Sequence, residues 1–288
     1  MLPSKEVTSF SSVGLRRITF FVLSLCLVLG TASLSEAKGR VLTSLDTCGM
    51  NDRAMPSNVR AHAMHSKLLD KQLCYLVILP KEGFDPGKKY RTLVLLHGLQ
   101  GAPSEWIKAA RFHEVAMEMM EQERILPFIT VIPAGLYGYW TDWPDGKNPY
   151  ATLVTDEYLK AAEELYPLQE GAENRAIAGV SMGGFGALSI GLLNPDTFGF
   201  MAAMSPTDME MALKASPKRR LYLNVIGDPV THKGLSASNP FHLVRAGAGA
   251  AQVFYLSYGT SEAAKFSDGT NRLYEAMLSQ KRRANLRK

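Results

Sequence analysis

The chain has 288 residues, 46% hydrophobic and 20% charged, with a formal net charge of +5. That balance is ordinary for a globular protein and excludes a disordered, collagen-like or coiled-coil chain. Its charge is unevenly placed: Lys5, Arg16 and Arg17 stand against Glu6 and Glu36 near the start, and Lys281, Arg282, Arg283, Arg287 and Lys288 crowd the end, so the body between them is at −1 and lacks the basic face that nucleic acid needs.

In chain order, Arg16 and Arg17 precede an apolar run of 13 residues, Ile18 to Gly30. Spanning a bilayer takes about 20 apolar residues. Ser35-Glu36-Ala37 puts small residues where a signal peptidase reads. Residues 1–37 therefore read as a secretory signal, with an uncleaved membrane anchor as the alternative, and residues 38–288 as one α/β domain, secreted or periplasmic, with no membrane span once the signal is removed. Cys26 leaves with the signal. Cys48 and Cys74 remain, a pair that can bridge in an oxidising compartment, with two buried free thiols as the alternative.

Beyond the leader, strands are expected at Leu73–Leu79, Thr92–Leu96, Phe128–Ile132, Arg175–Gly179, Phe200–Met204 and Gln252–Tyr258. Helices are expected at Glu114–Glu123, Asp156–Tyr166, Met182–Leu193 and Asn271–Leu278, the second with Thr155 at its N-cap. The strands are continuous apolar runs, as in a parallel sheet covered on both faces. Strand and helix alternate, which predicts a doubly wound α/β fold.

Two stretches carry chemistry. Gly179-Val180-Ser181-Met182-Gly183 lies where a strand runs directly into a helix, the context of a nucleophile elbow, whose tightness demands small residues on either side of the serine. A structural turn serine is the bland alternative. Gly184 and Gly186 should let the helix approach the sheet. Upstream, Thr92–Leu96 leads into His97-Gly98-Leu99-Gln100-Gly101, a strand-end loop suited to an oxyanion hole. Its donors would be the backbone N–H groups of Leu99 and Met182, with His97 structural. His62, His65 and His113 have no ligand spacing with an acid or cysteine, so neither metal nor cofactor is expected. Tyr139, Trp140, Trp143 and Tyr150 could stack on a sugar or aryl acid, or pack among themselves.

From about Leu73 to Leu278 the chain resembles the esterase D, feruloyl esterase and mycolyltransferase group of α/β-hydrolases. The resemblance rests on Tyr75–Pro80, Leu95-Leu96-His97-Gly98, Trp106, the stretch from Arg175 through Ser181-Met182-Gly183-Gly184-Phe185-Gly186 to Leu188, and Pro195-Asp196 with Phe198. It implies a mostly parallel sheet with helices on both faces and hydrolysis, or transfer, of a carboxylic ester through an acyl-serine on Ser181. The partner would be a small-molecule or carbohydrate ester; oligomeric state is left open.

A serine nucleophile needs a base, and the base an orienting acid, in the chain order serine, acid, histidine. Two registers compete. In the favoured one, Val253–Tyr258 is the acid strand and Gly259-Thr260-Ser261-Glu262 resembles the family's Gly-Thr-x-Asp turn, making Glu262 the acid. In the other, Leu221–Ile226 is the acid strand and Asp228 the acid. Neither supplies a histidine in order, since His232 and His242 precede Glu262. A sheet lacking its last strand is therefore also expected. The first reading is a secreted serine esterase; the rivals are a catalytically silent or truncated α/β-hydrolase relic without its base, and an acyltransferase to a sugar hydroxyl.

Overall fold

The computed structural model describes residues 48–50, 55–80, 83–216, 220–227, 237–262 and 264–288. The leader (1–37), Asp228 and His232 lie outside the described residues. These described residues build a sheet in the order β1-β2-β4-β3-β5-β6-β7-β8. The strands are β1 Val59–Ser66, β2 Lys71–Ile78, β3 Arg91–Leu96, β4 Phe128–Pro133, β5 Arg175–Val180, β6 Phe200–Met204, β7 Val253–Ser257 and β8 Arg283–Arg287. β1 and β2, and β2 and β4, pair antiparallel, and every other pairing is parallel.

The apolar runs are explained by burial on both faces. Along β2, Leu73, Tyr75 and Val77 join one core while Cys74, Leu76 and Ile78 join the other. Side chains alternate across a strand, so burying both sets requires cover on both sides. That cover comes from helices α1 Glu105–Lys108, α2 Phe112–Glu121, α3 Tyr150–Leu153, α4 Leu159–Leu165, α5 Met182–Leu193, α6 Met209–Ala215, α7 Arg220–Ile226, α8 Pro240–Arg245 and α9 Ala264–Ser279. α5 is buried on every face from Met182 to Leu192, as befits a helix apolar all round. No helix among the described residues is long and apolar enough to cross a membrane.

Several expectations are corrected. The sheet keeps a last strand: β8 pairs parallel with β7, Phe254 facing Ala284 and Leu256 facing Leu286. Its arginines occupy the exposed alternate positions, so an edge strand with charged outer residues reads in sequence as a basic tail. β1 was not expected at all. Its Arg60, His62 and His65 interrupt the apolar pattern, because this antiparallel edge is only half covered. Leu221–Ile226, the acid strand of the second register, is helix α7, with Tyr222 and Val225 buried one turn apart. Thr155 caps nothing: it lies in a π-helical turn, Val154–Tyr158, joining α3 to α4. The true start is capped from outside, the Asp142 carboxylate accepting from the Ala151 and Thr152 N–H groups at 2.8 and 2.9 Å. Cys48 and Cys74 are bridged, with Cα atoms 5.4 Å apart.

Candidate functional site

The C-terminal ends of β3, β5, β6 and β7 bring the predicted site residues to one edge of the sheet. Ser181 follows β5 and caps α5 with φ 56° and ψ −115°, a left-handed backbone that costs a non-glycine residue about 1–3 kcal/mol. Surroundings over-determine that conformation. The Ser181 N–H donates to Met204 O at 2.9 Å, and its carbonyl accepts from Thr207 N–H at 3.2 Å and from Phe185 N–H at 3.0 Å.

The flanking glycines are sterically required. A Cβ on Gly179 would lie 2.3 Å from Gly183 O, and one on Gly183 would lie 2.4 Å from Leu96 O and 2.7 Å from His97 O. Gly184 does let α5 approach the sheet, a Cβ there reaching Met204 O at 3.1 Å, but Gly186 makes room for Trp140 instead, whose Cβ would be 2.3 Å away.

The Gly98–Gly101 turn lies against the serine, since a Cβ on Gly98 would sit 3.8 Å from Ser181 Cβ. Its shape is set by Gly101 N–H donating to Gly98 O at 3.1 Å and by His97. The His97 Nε2 accepts from Gly135 N–H at 3.0 Å, so Nδ1 carries the proton and donates to Gly98 O at 2.8 Å. Burial pulls the His97 pKa down to about 4, against the opposing Gly98 hydrogen bond. The ring is thus neutral and both nitrogens are engaged in backbone contacts; it shapes the loop. Met182 is the first residue of α5, so its N–H is one of those a helix leaves without an internal partner. Leu99, next to Gly98, packs partly buried against the main core.

Glu262 stands beyond β7, its N–H donating to Gly259 O at 3.0 Å. Its Oε1 accepts from Ser205 Oγ at 2.7 Å, while its buried Oε2 has no hydrogen-bond partner among the described residues. Ser205 was missed in the sequence; its only signal is a Ser-Pro step directly after β6. The described histidines other than His97 have neighbours other than Ser181 and Glu262. His62 bonds Tyr166 at 2.6 Å, His65 lies 3.4 Å from Asp70, His113 lies 3.7 Å from Glu114, and His242 bonds Glu210 at 3.0 Å.

The aromatic segment resolves toward packing. Tyr139, Trp140 and Tyr150 are buried, Trp140 Nε1–H donates to His97 O at 3.1 Å, and Tyr139 meets Phe185 and Tyr222 edge to face. Among the described residues no His, Cys, Asp and Glu cluster could hold a metal ion.

The family model described as "Putative esterase" matches residues 66–285. An acetyl esterase of Caldicellulosiruptor saccharolyticus is 29% identical over 163 residues, which cover 54% of this chain and 58% of that protein; the match thus spans little more than half of that relative. Among solved structures, a ferulic acid esterase superposes with a TM-score of 0.64 at 23% identity, over 80% of this chain and 88% of that one. A Staphylococcus aureus fluorophosphonate-binding serine hydrolase does so with a TM-score of 0.67 at 18% identity, over 80% and 89%. At such identities the likeness is one of fold.

Proposed function

We propose that this chain, which belongs to the esterase family matched over residues 66–285, hydrolyses carboxylic esters through an acyl-serine formed on Ser181. The observation that carries the reading is the strained Ser181 backbone at φ 56°, held in a strand-to-helix turn against the Gly98 loop. Strain of this kind persists only where the surroundings impose it, and it gathers at reactive residues. In the reaction, Ser181 Oγ gives its proton to the base and attacks the ester carbonyl while the Leu99 and Met182 N–H groups stabilise the developing oxyanion. The C–O ester bond then breaks, the alcohol leaves with that proton, and water hydrolyses the acyl-serine to free acid and Ser181. Removing one such donor from a protease costs about 2.7–4 kcal/mol. Glu262 is the orienting acid. Its half-used, buried carboxylate supports that role, because a buried unsatisfied oxygen otherwise costs about 1–3 kcal/mol.

The base is not assigned to His62, His65, His97, His113 or His242, whose neighbours are Tyr166, Asp70, Gly98 and Gly135, Glu114 and Glu210. Of the six histidines in the chain this leaves His232, which lies outside the described residues; a second reading, a binding module with a silent site, holds if His232 does not serve as the base. A chromogenic acetyl or feruloyl ester separates the two. Hydrolysis lost in Ser181→Ala supports the esterase; no hydrolysis at all supports the silent reading. Product diverted from free acid by an added sugar would indicate acyl transfer. The likeness to an acetyl esterase favours a small ester as substrate. Export is proposed as well, supported by the Cys48–Cys74 bridge, since disulfides persist in oxidising compartments. Native protein should begin at or near Lys38; a retained Met1 would contradict cleavage.

A further inference from the structure

We infer that Ser205 is a positioning residue of the site, fixing the Glu262 carboxylate so that Oε2 is the oxygen presented to the base. This rests on Ser181 and Glu262 having the roles proposed above. Ser205 directly follows β6 and is 7% exposed. Its backbone is left-handed at φ 46°, a conformation unusual for serine, and its N–H donates to Ser257 O, at the end of β7, at 2.7 Å. With the backbone so held, the hydroxyl donates to Glu262 Oε1 at 2.7 Å.

The neighbours of Ser205 hold the nucleophile. Met204 O accepts the Ser181 N–H at 2.9 Å, and Thr207 N–H donates to the Ser181 carbonyl at 3.2 Å. One short segment, Met204 to Thr207, therefore grips the Ser181 backbone through its ends and the acid through its middle. Pro206 lies between, its ring fixing φ. The turn that leads to Glu262 runs close to its side chain: a Cβ on Gly259 would come 3.2 Å from Glu262 Cγ and 3.3 Å from its Oε1. With Oε1 committed to Ser205, Oε2, which has no hydrogen-bond partner among the described residues, is left to accept the N–H of an imidazole.

The test is the rate of covalent labelling of the full chain by a fluorophosphonate, resolved into the inactivation rate constant kinact and the binding constant KI. Ser205→Gly deletes the hydroxyl while allowing φ 46° without strain; Ser205→Cys keeps the volume should the glycine variant fold poorly. Loss of a hydrogen bond to a carboxylate predicts a roughly tenfold fall in kinact with KI unchanged. Glu262→Ala should lower kinact at least as much, and Ser205→Gly added to Glu262→Ala should lower it no further. Labelling of Ser205→Gly and Ser205→Cys at the wild-type rate would overturn the inference. So would an equal fall with and without Glu262, which would mean that Ser205 acts on the Ser181 backbone alone. Wild-type labelling of Glu262→Ala would instead remove Glu262 from the site, and the Ser205 role with it.

Discussion

Replacing Ser181 by glycine should abolish chemistry and stabilise the protein. The residue sits at φ 56° and ψ −115°, where a side chain costs about 1–3 kcal/mol and glycine costs nothing. Against that gain stands the larger unfolded-state entropy of glycine, about 0.4–1 kcal/mol relative to alanine. The net expectation is about 1 kcal/mol in favour of Ser181→Gly. For a domain of this size, such a change raises Tm by about 2–4 °C. Ser181→Ala is the control, because it also removes the hydroxyl but retains the Cβ and hence the strain. Melting curves of the three proteins, followed by circular dichroism at one scan rate, give the comparison. If Ser181→Gly melts at or below Ser181→Ala, the backbone is not strained and the physical argument for a reactive serine fails.

Gly183→Ala would drive a Cβ to 2.4 Å from Leu96 O, and because the obstacle is backbone, a loss of about 1–3 kcal/mol of stability and a loss of Ser181 labelling are expected; wild-type Tm and labelling would refute the packing. His97 is held neutral by burial, its pKa lowered to about 4, so the stability it confers is complete above about pH 6.5 and is lost as pH falls toward 4, by up to about 3 kcal/mol. The acid-side decline in Tm should therefore flatten in His97→Asn, and an unchanged decline would point to other groups. Reducing the Cys48–Cys74 bridge, which closes a separation of 26 residues, should destabilise the fold by ~3 kcal/mol in the chain-entropy model, read as a lower Tm in dithiothreitol; no shift would refute the entropic contribution of the bridge.

Legibility in the sequence followed burial. The β5–Ser181–α5 turn was readable because its glycines answer to backbone clashes that no other residue survives, and β3 with His97-Gly98 because a doubly covered strand must be apolar throughout. β1 and β8 were not readable. Each is a sheet edge where half the residues face solvent, so Arg60 and His62 in one and Arg283 and Arg287 in the other mask the strand period. Leu221–Ile226 misled in the opposite sense. Its apolar residues fit a strand, and only their burial at Tyr222 and Val225, three apart, marks a helix. Of the residues proposed for the site, Glu262 was suggested by its turn motif, whereas Ser205 has no motif. Its place depends on the β6–β7 pairing, a long-range contact that local sequence does not encode.

The central claim is that Ser181 is the nucleophile, and the most direct measurement is peptide mass spectrometry of the full chain after reaction with a fluorophosphonate. The account predicts a single phosphonylated peptide carrying the adduct on Ser181, absent from Ser181→Ala. An adduct on another residue, or labelling that survives Ser181→Ala, would contradict it.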